Sequence, residues 1–199
     1  MTKIKLCGLS RPADIECANE LCPDYVGFVF AKGSRRYVTP EQAKILSGML
    51  HRDIQAVGVF VDEDADTVVR LLSDGIIDIA QLHGHEDEAY IKALRTRCEN
   101  HVIRAFRMTK EEDAAAVMAS SADFVLLDPG AGDGRTFDWS IAKQVTRPFF
   151  LAGGLDCDNV RDAVRALAPY AVDVSSGIET DGVKDPDKMK EFARLVRSC

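Results

Sequence analysis

Short apolar runs rich in β-branched residues alternate with amphipathic stretches eight times along the 199 residues, and no Pro/Gly/Ser-rich linker separates any two of them. The strand candidates are 3–8, 25–30, 55–61, 76–81, 101–106, 123–128, 148–152 and 171–175. Helical patterns fill the intervals at 12–21, 40–50, 64–73, 86–97, 110–118, 138–144, 158–167 and 185–197, the sixth being short. The third puts Val68, Leu71 and Leu72 on one face, as a helix covering a sheet must. Thr39-Pro40 and Asp185-Pro186 set a capping residue before a proline at the first helical position, which marks two helix starts. Strand runs that are apolar throughout, rather than alternating, predict a parallel sheet covered on its outside. Eight such units predict an α/β chain of one domain, 1–199, folded as a single-domain (β/α)8 TIM barrel. An open doubly wound sheet competes, but it would be unusually wide, and no GxGxxG follows the first strand.

Composition narrows the partners. Hydrophobic residues make up 46% and charged residues 29%, which is the balance of a globular chain and not of a disordered one. The net charge of -7, without any Lys/Arg-rich run, argues against a nucleic acid or an anionic membrane surface and leaves a small molecule as the expected partner. MTKIKLCGL enters a strand directly, without the apolar segment of a signal peptide, and no later apolar stretch approaches a membrane span, so a cytoplasmic location is expected. Six cysteines lie scattered without a CxxC pair or a histidine at ligand spacing, so neither a metal site nor disulfides are expected, and most thiols read as inert fillers of buried space. Monomer and homodimer both remain open.

A barrel of this kind builds its active site at the C-terminal ends of the strands. Those ends carry Cys7-Gly8, Arg35-Arg36 beyond strand 2, Gln81-Leu82-His83-Gly84, Asp128, Gly153-Gly154 and Ser175-Ser176-Gly177. The last two groups follow strands 7 and 8, where such barrels bind phosphate through backbone N–H groups. Each group alone also fits a tight strand-to-helix turn. Together they favour a phosphate nest at Gly153, Gly154, Ser175, Ser176 and Gly177.

A set of segments in order carries a more specific resemblance. KLCGL at 5–9, GFVFAKGSRRYVTPEQA at 27–43, VGVFVDE at 57–63, QLHG at 81–84, LLD at 126–128, GRTFDW at 134–139, LAGGL at 151–155 and VDVSSGIE at 172–179 cover the chain from end to end. In this succession the chain resembles the phosphoribosylanthranilate isomerases. That resemblance implies an Amadori rearrangement in tryptophan synthesis on a small phosphorylated substrate, run by one acid and one base without metal or organic cofactor.

Carried over by position, Asp128 is the general acid for the ring oxygen and Cys7 the general base for the C2′ proton. The resemblance also makes Arg36 a clamp for the anthranilate carboxylate, a task suited to a planar fork of donors. Gln81 and His83 are candidates for substrate binding, although a histidine ending a strand also serves loop backbone. Asp173, a carboxylate in an interior run, needs a polar partner and is a candidate support for Cys7. Cys7 has a packing alternative and Asp128 a capping one. Arg35, His51, His85 and His101 read as surface residues, and Trp139 as an anchor for the sixth helix.

The run 129–136 departs from the family pattern, with Ala131 and Asp133 at positions where small or hydroxyl residues are usual, and it is the place for a lid. One rival reading is the related barrel isomerase of histidine synthesis, which uses an aspartate at the end of strand 1, or an enzyme serving both substrates. Another is a phosphometabolite-binding protein without chemistry. Protonation adds a constraint: at pH 7 reference values leave roughly 3% thiolate and roughly 0.1% neutral carboxyl. Catalysis therefore needs Asp128 raised, Cys7 lowered or both, with the larger shift expected at Asp128.

Overall fold

The apolar runs close on themselves. The computed structural model describes residues 1–128 and 139–199, with the side chains of residues 139 and 140 left out. Its strands are β1 (Lys3–Cys7), β2 (Tyr25–Val29), β3 (Gln55–Phe60), β4 (Ile79–Leu82), β5 (Val102–Arg107), β6 (Phe124–Asp128), β7 (Phe149–Leu151) and β8 (Ala171–Val174). They are parallel and hydrogen-bonded in chain order, and β8 pairs with β1 to complete the barrel. The helices between and after them are α1 (Pro12–Leu21), α2 (Pro40–Gly48), α3 (Ala65–Ser73), α4 (Glu88–Arg95), α5 (Asp113–Ala119), α6 (Trp139–Ala142), α7 (Val160–Leu167) and α8 (Pro186–Arg197). The lid expectation at 129–136 and the anchoring expectation for Trp139 fall outside the described residues and side chains.

The helix starts follow from capping chemistry. Thr39 accepts from the Gln42 N–H while the Gln42 side chain accepts from the Thr39 N–H, a reciprocal box that begins α2 at Pro40. Asp64 caps α3 through the Thr67 N–H, and Asp185 caps α8 through the N–H groups of Asp187 and Lys188. Each cap of this kind is worth about 1 kcal/mol. Val68, Leu71 and Leu72 are the buried face of α3, as their spacing predicts.

Strand alternation divides the core in two. Ile4, Leu6, Val26, Phe28 and Phe60 point outward and pack in the layer between strands and helices. Tyr25, Val57, Ile79, Ile103, Leu126 and Phe150 pack inside the barrel. Stacked Phe124 and Tyr170, with Tyr25 against Phe150, fill the barrel near the strand starts. Two residues further along each strand, the next inward positions are Gln81 after Ile79, Asp128 after Leu126 and Asp173 after Ala171. The same alternation points Lys5 and Cys7 inward.

Three features differ from the sequence reading. β4 begins at Ile79 rather than Ile76, because Gly75 turns at φ +65° and the Ile76 N–H bonds back to Leu71, making Ile76 and Ile77 buried turn residues. A small antiparallel hairpin, β9 (Glu179–Thr180) with β10 (Val183–Lys184), stands between β8 and α8. Only Cys7 and Cys17 among the six thiols are buried; Cys22, in a left-handed helix cap, and Cys199, at the chain end, are exposed. No helix among the described residues is long and apolar enough to cross a membrane.

Candidate active site

The site begins at the seam where the first and last barrel strands meet. Lys5 stands opposite Asp173 in the β1–β8 register, and its Nζ donates to both carboxylate oxygens at 3.0 Å. Lys5 is 0% exposed and Asp173 7%. Asp173 therefore has the polar partner that its interior position required. Cys7, 8% exposed, is the next inward residue above Lys5 on the same strand. Its Sγ lies over Gly27 of β2, where an added Cβ would come within 2.6 Å of the sulfur. Glycine at 27 is thus the space into which the thiol fits.

Burial pushes the Cys7 thiol above its ordinary value, the Lys5 ammonium pulls it down, Asp173 adds to the rise, and Lys184 opposes it. The outcome is upward, whereas a site that generates thiolate by lowering the thiol would show the reverse. Desolvation outweighs the nearby cations.

A second cluster roofs this seam. Glu179, buried in β9, accepts from Arg36 Nε at 2.6 Å and Nη2 at 2.9 Å, from Arg35 Nη2 at 2.5 Å, and from Lys184 Nζ at 2.7 Å. Burial raises the Glu179 carboxyl, but hydrogen bonds and charge from Arg36 and Lys184 overcome it and hold the value at about 2. Burial lowers Lys184 in turn. Lys184 also donates to the Ser175 carbonyl at 2.8 Å, and the Ser175 hydroxyl donates to the Cys7 carbonyl at 3.1 Å. Arg36 lies over Gly8, whose φ is +76° and where an added Cβ would come within 2.4 Å of Arg36 Cδ, leaving no room for a side chain. Arg35, read from sequence as surface, is 59% exposed yet tied to Glu179.

Asp128 and His83 come together at the ends of β6 and β4. His83 Nε2 lies 3.3 Å from Asp128 Oδ2, and Gln81 Nε2 lies 2.9 Å from His83 Nδ1. They border a cleft of about 420 Å³ that Phe106, Arg107 and His85 also line. Gln81 is 1% exposed and its amide faces His83; among the described residues its Oε1 has no hydrogen-bond partner. His85, expected as a surface residue, is exposed and bonded to Asp62, but it also forms part of this cleft wall.

The loops after β7 and β8 run side by side. Gly153 and Gly154 have φ of +80° and +65°, and Asp156 forms a parallel bridge with Gly177. A Cβ at Gly177 would stand 1.9 Å from the Leu155 carbonyl oxygen, so the two loops meet only because Gly177 is glycine. Among the described residues the Gly153 and Gly154 N–H groups donate no hydrogen bond to protein. Ser176, the residue before Gly177, is exposed, whereas the Ser175 hydroxyl is turned toward Cys7.

Residues 4–194 match the family model for N-(5'phosphoribosyl)anthranilate (PRA) isomerase. The chain belongs to the N-(5'-phosphoribosyl)anthranilate isomerase family. A relative of that name from Endomicrobium trichonymphae is 45% identical over the whole of both chains. The phosphoribosyl anthranilate isomerase of Thermotoga maritima superposes with a TM-score of 0.91 at 34% identity, again over all of both chains. A phosphoribosyl anthranilate isomerase in complex with reduced 1-(O-carboxyphenylamino)-1-deoxyribulose 5-phosphate superposes at 0.89 with 34% identity and full coverage of both chains.

In this member of the isomerase family, Lys5, Glu179 and Lys184 border the seam without having been singled out from the sequence. A signal for Lys5 was present: a lysine inside an apolar strand, two residues before Cys7, has the same inward parity. Glu179 ends the VDVSSGIE segment, but its role depends on the β9–β10 hairpin, whose two-residue strands leave no periodicity to read.

Proposed function

We infer that the chain, working in the cytoplasm as one catalytic domain over residues 1–199, converts N-(5'-phosphoribosyl)anthranilate to 1-(2-carboxyphenylamino)-1-deoxyribulose 5-phosphate in tryptophan biosynthesis, with Asp128 as acid and Cys7 as base. The observation that carries this reading is the pairing of a carboxyl held by histidine with an interior thiol, both at the C-terminal strand ends of one barrel. Asp128 gives a proton to the furanose oxygen as the C1′–O bond breaks and the anilino nitrogen lone pair forms the iminium. The Cys7 thiolate then takes the C2′ proton, and the released electron pair moves through C1′ to nitrogen, leaving an enol-amine that tautomerises to the ketone. Acid and base suffice for both steps.

The Gln81–His83–Asp128 chain suits an acid that must exist in two forms. With the Gln81 amide N–H on Nδ1, His83 carries its proton on Nε2 and donates to Asp128 carboxylate. Turning the amide by 180° reverses every bond: Oε1 accepts from Nδ1–H, and Nε2 accepts from neutral Asp128. One amide atom lacks a partner in either sense, which agrees with the unpaired Oε1. Gln81 thereby acts through His83 rather than on substrate directly.

Substrate binding follows the charge. Arg36 offers the anthranilate carboxylate its Nη1, the guanidinium nitrogen that Glu179 does not engage. The loops at 153–154 and 175–177 offer backbone N–H groups to the 5′-phosphate. The phosphorylated product analogue held by a 34% identical relative supports a ligand of this chemistry. Cys7 stands where the histidine-pathway reading requires an aspartate.

The test is a fluorescence assay of freshly generated phosphoribosylanthranilate with the unaltered enzyme, Cys7→Ala and Asp128→Asn. Each variant should lose about three or more orders of magnitude in kcat while keeping affinity for the reduced product analogue within a few-fold. Near-normal turnover in either variant removes that residue from its role. An unaltered chain that binds the analogue but consumes no substrate is a binding protein, and consumption of the histidine-pathway substrate as well makes it a dual enzyme.

A further inference from the structure

A lysine sealed inside a barrel runs against solvation, since removing an ammonium from water costs several kcal/mol even where a partner repays part of it. Lys5 is fully buried, and Asp173 is nearly so. An apolar pair of similar volume would fill the same space without this cost. Packing therefore does not explain the ion pair, and its place in the fold directs attention to Cys7. Lys5 and Cys7 are the two successive inward residues at the end of β1, and Asp173 faces Lys5 across the seam.

The charges around the thiol come from five elements. Lys5 lies on β1, Asp173 on β8, Glu179 on β9, Lys184 on β10, and Arg36 in the loop after β2; β2 itself brings Gly27 against the sulfur. Arg35 touches the outer side of Glu179 from the solvent edge, where water screens it. Lys5 and Lys184 are buried against Asp173 and Glu179, while Arg36 is partly exposed and is assigned to the substrate carboxylate; Lys5 is therefore the buried cation that shares a strand with the thiol.

We propose that Lys5 is a positioning residue for the isomerase reaction: its ammonium, clamped by Asp173, lies beneath Cys7 as the counter-charge for the thiolate. The proposal rests on Cys7 being the base. The ion pair does two things at once. Asp173 keeps Lys5 charged in a site that would otherwise strip its proton, and it tempers the pull of Lys5 so that the thiolate stays basic enough to take a carbon-bound proton. Burial favours the thiol and Lys5 opposes it, in keeping with this arrangement. Lys5 itself is held protonated because Asp173 and Cys7 outweigh its burial.

The experiment follows Cys7 itself. Alkylation by iodoacetamide is measured from pH 6 to 10 and quantified by mass spectrometry on the peptide containing Cys7, in the unaltered enzyme, Lys5→Met and Asp173→Asn. The pH profile of kcat is recorded on the same proteins. Lys5→Met should move the Cys7 titration upward by about one unit or more, a roughly 10-fold loss of thiolate on the acid side. The acid limb of kcat should move with it, so that activity recovers as pH is raised. Asp173→Asn, which lets the buried Lys5 lose its proton, should move the titration upward as well, and by less, because the carboxylate's own push on the thiolate is gone. If Lys5→Met does not fold, the upward shift in Asp173→Asn carries the test. Unchanged titration, a downward shift in either variant, or a loss of kcat equal at every pH overturns the proposal. Because the titration is read without turnover, it stands apart from the Cys7→Ala assay, which tests whether Cys7 is the base at all.

Discussion

Glu179 holds both Nε and Nη2 of Arg36, at 2.6 and 2.9 Å, and so fixes the plane of the guanidinium over Gly8. A fork oriented in advance spends less of its binding energy on ordering itself. Glu179→Gln should therefore raise KM for phosphoribosylanthranilate about 10-fold with kcat within about three-fold, and Arg36→Ala should raise it further. Steady-state kinetics on the two variants decide the matter: an unchanged KM in Arg36→Ala removes Arg36 from the clamp.

Gly177 stands against the Leu155 carbonyl, where a methyl group has no space. Gly177→Ala should part the two loops and weaken the phosphate contacts they share. Inorganic phosphate is expected to inhibit the unaltered enzyme competitively and to need about 10-fold more for the same effect in Gly177→Ala, since about 1.4 kcal/mol of lost contact changes binding tenfold. Inhibition constants that match in the two proteins would move the phosphate site elsewhere.

On the proposed reading Gln81, with Nε2 2.9 Å from Nδ1, sets which nitrogen of His83 bears the proton. Nitrogen-15 shifts of the free enzyme at pH 8 should show Nε2 protonated and Nδ1 not. In Gln81→Leu the two tautomers should mix and kcat should fall by about 10-fold, because the donor chain to Asp128 loses its direction. A single unchanged tautomer in Gln81→Leu would show that Asp128 alone orders the ring.

Acid stability has a predictable sign. Glu179 and Glu88 both have carboxyls held at about 2 in the folded protein, Glu88 because the hydroxyls and N–H of Ser120 and Ser121 and the Arg104 guanidinium overcome its desolvation. The unfolded value is about 4.3, so their contribution is complete above that pH and is lost as the pH falls toward 2. Glu88→Gln should lower Tm by about 2 °C at pH 7 and narrow that deficit below pH 4; half-exposed, Glu88 is worth no more than about 1 kcal/mol. A Tm deficit that does not change between pH 7 and 3 would contradict this assignment.

The barrel was readable because its signal is repeated: eight buried strands, each an apolar run, with capping at Thr39 and Asp185. The placement of Cys7, Asp128 and His83 at or just beyond strand ends, and of Arg36 in the loop after β2, was readable because strand ends are where such a fold gathers polar groups, while their roles came from the family resemblance. Lys5 carried a signal in its parity with Cys7, but a charged residue in a strand is ordinarily an edge or surface position, and only closure of β8 on β1 gives it Asp173. Ile76 and Ile77 misled for the opposite reason: they are buried, but by a turn folding back on α3, and burial alone does not distinguish a strand from such a turn. The upward displacement of the Cys7 thiol was hidden as well, because it depends on how much water the assembled barrel excludes.

Lys5 and Asp173 are separated by 168 positions in the chain, and they meet only when the last barrel strand docks on the first. In a growing polypeptide the thiol, Lys5 and Arg36 emerge early and Asp173, Glu179 and Lys184 emerge last, so a chain released before β8 contains Cys7, Asp128 and Arg36 yet lacks the carboxylates that complete their electrostatic setting. Such long-range closure is a slow event in folding, because the intervening loop entropy must be overcome first. Chemical competence thereby becomes a report on completed assembly: partially folded copies carry the reactive groups but remain silent until the seam is joined.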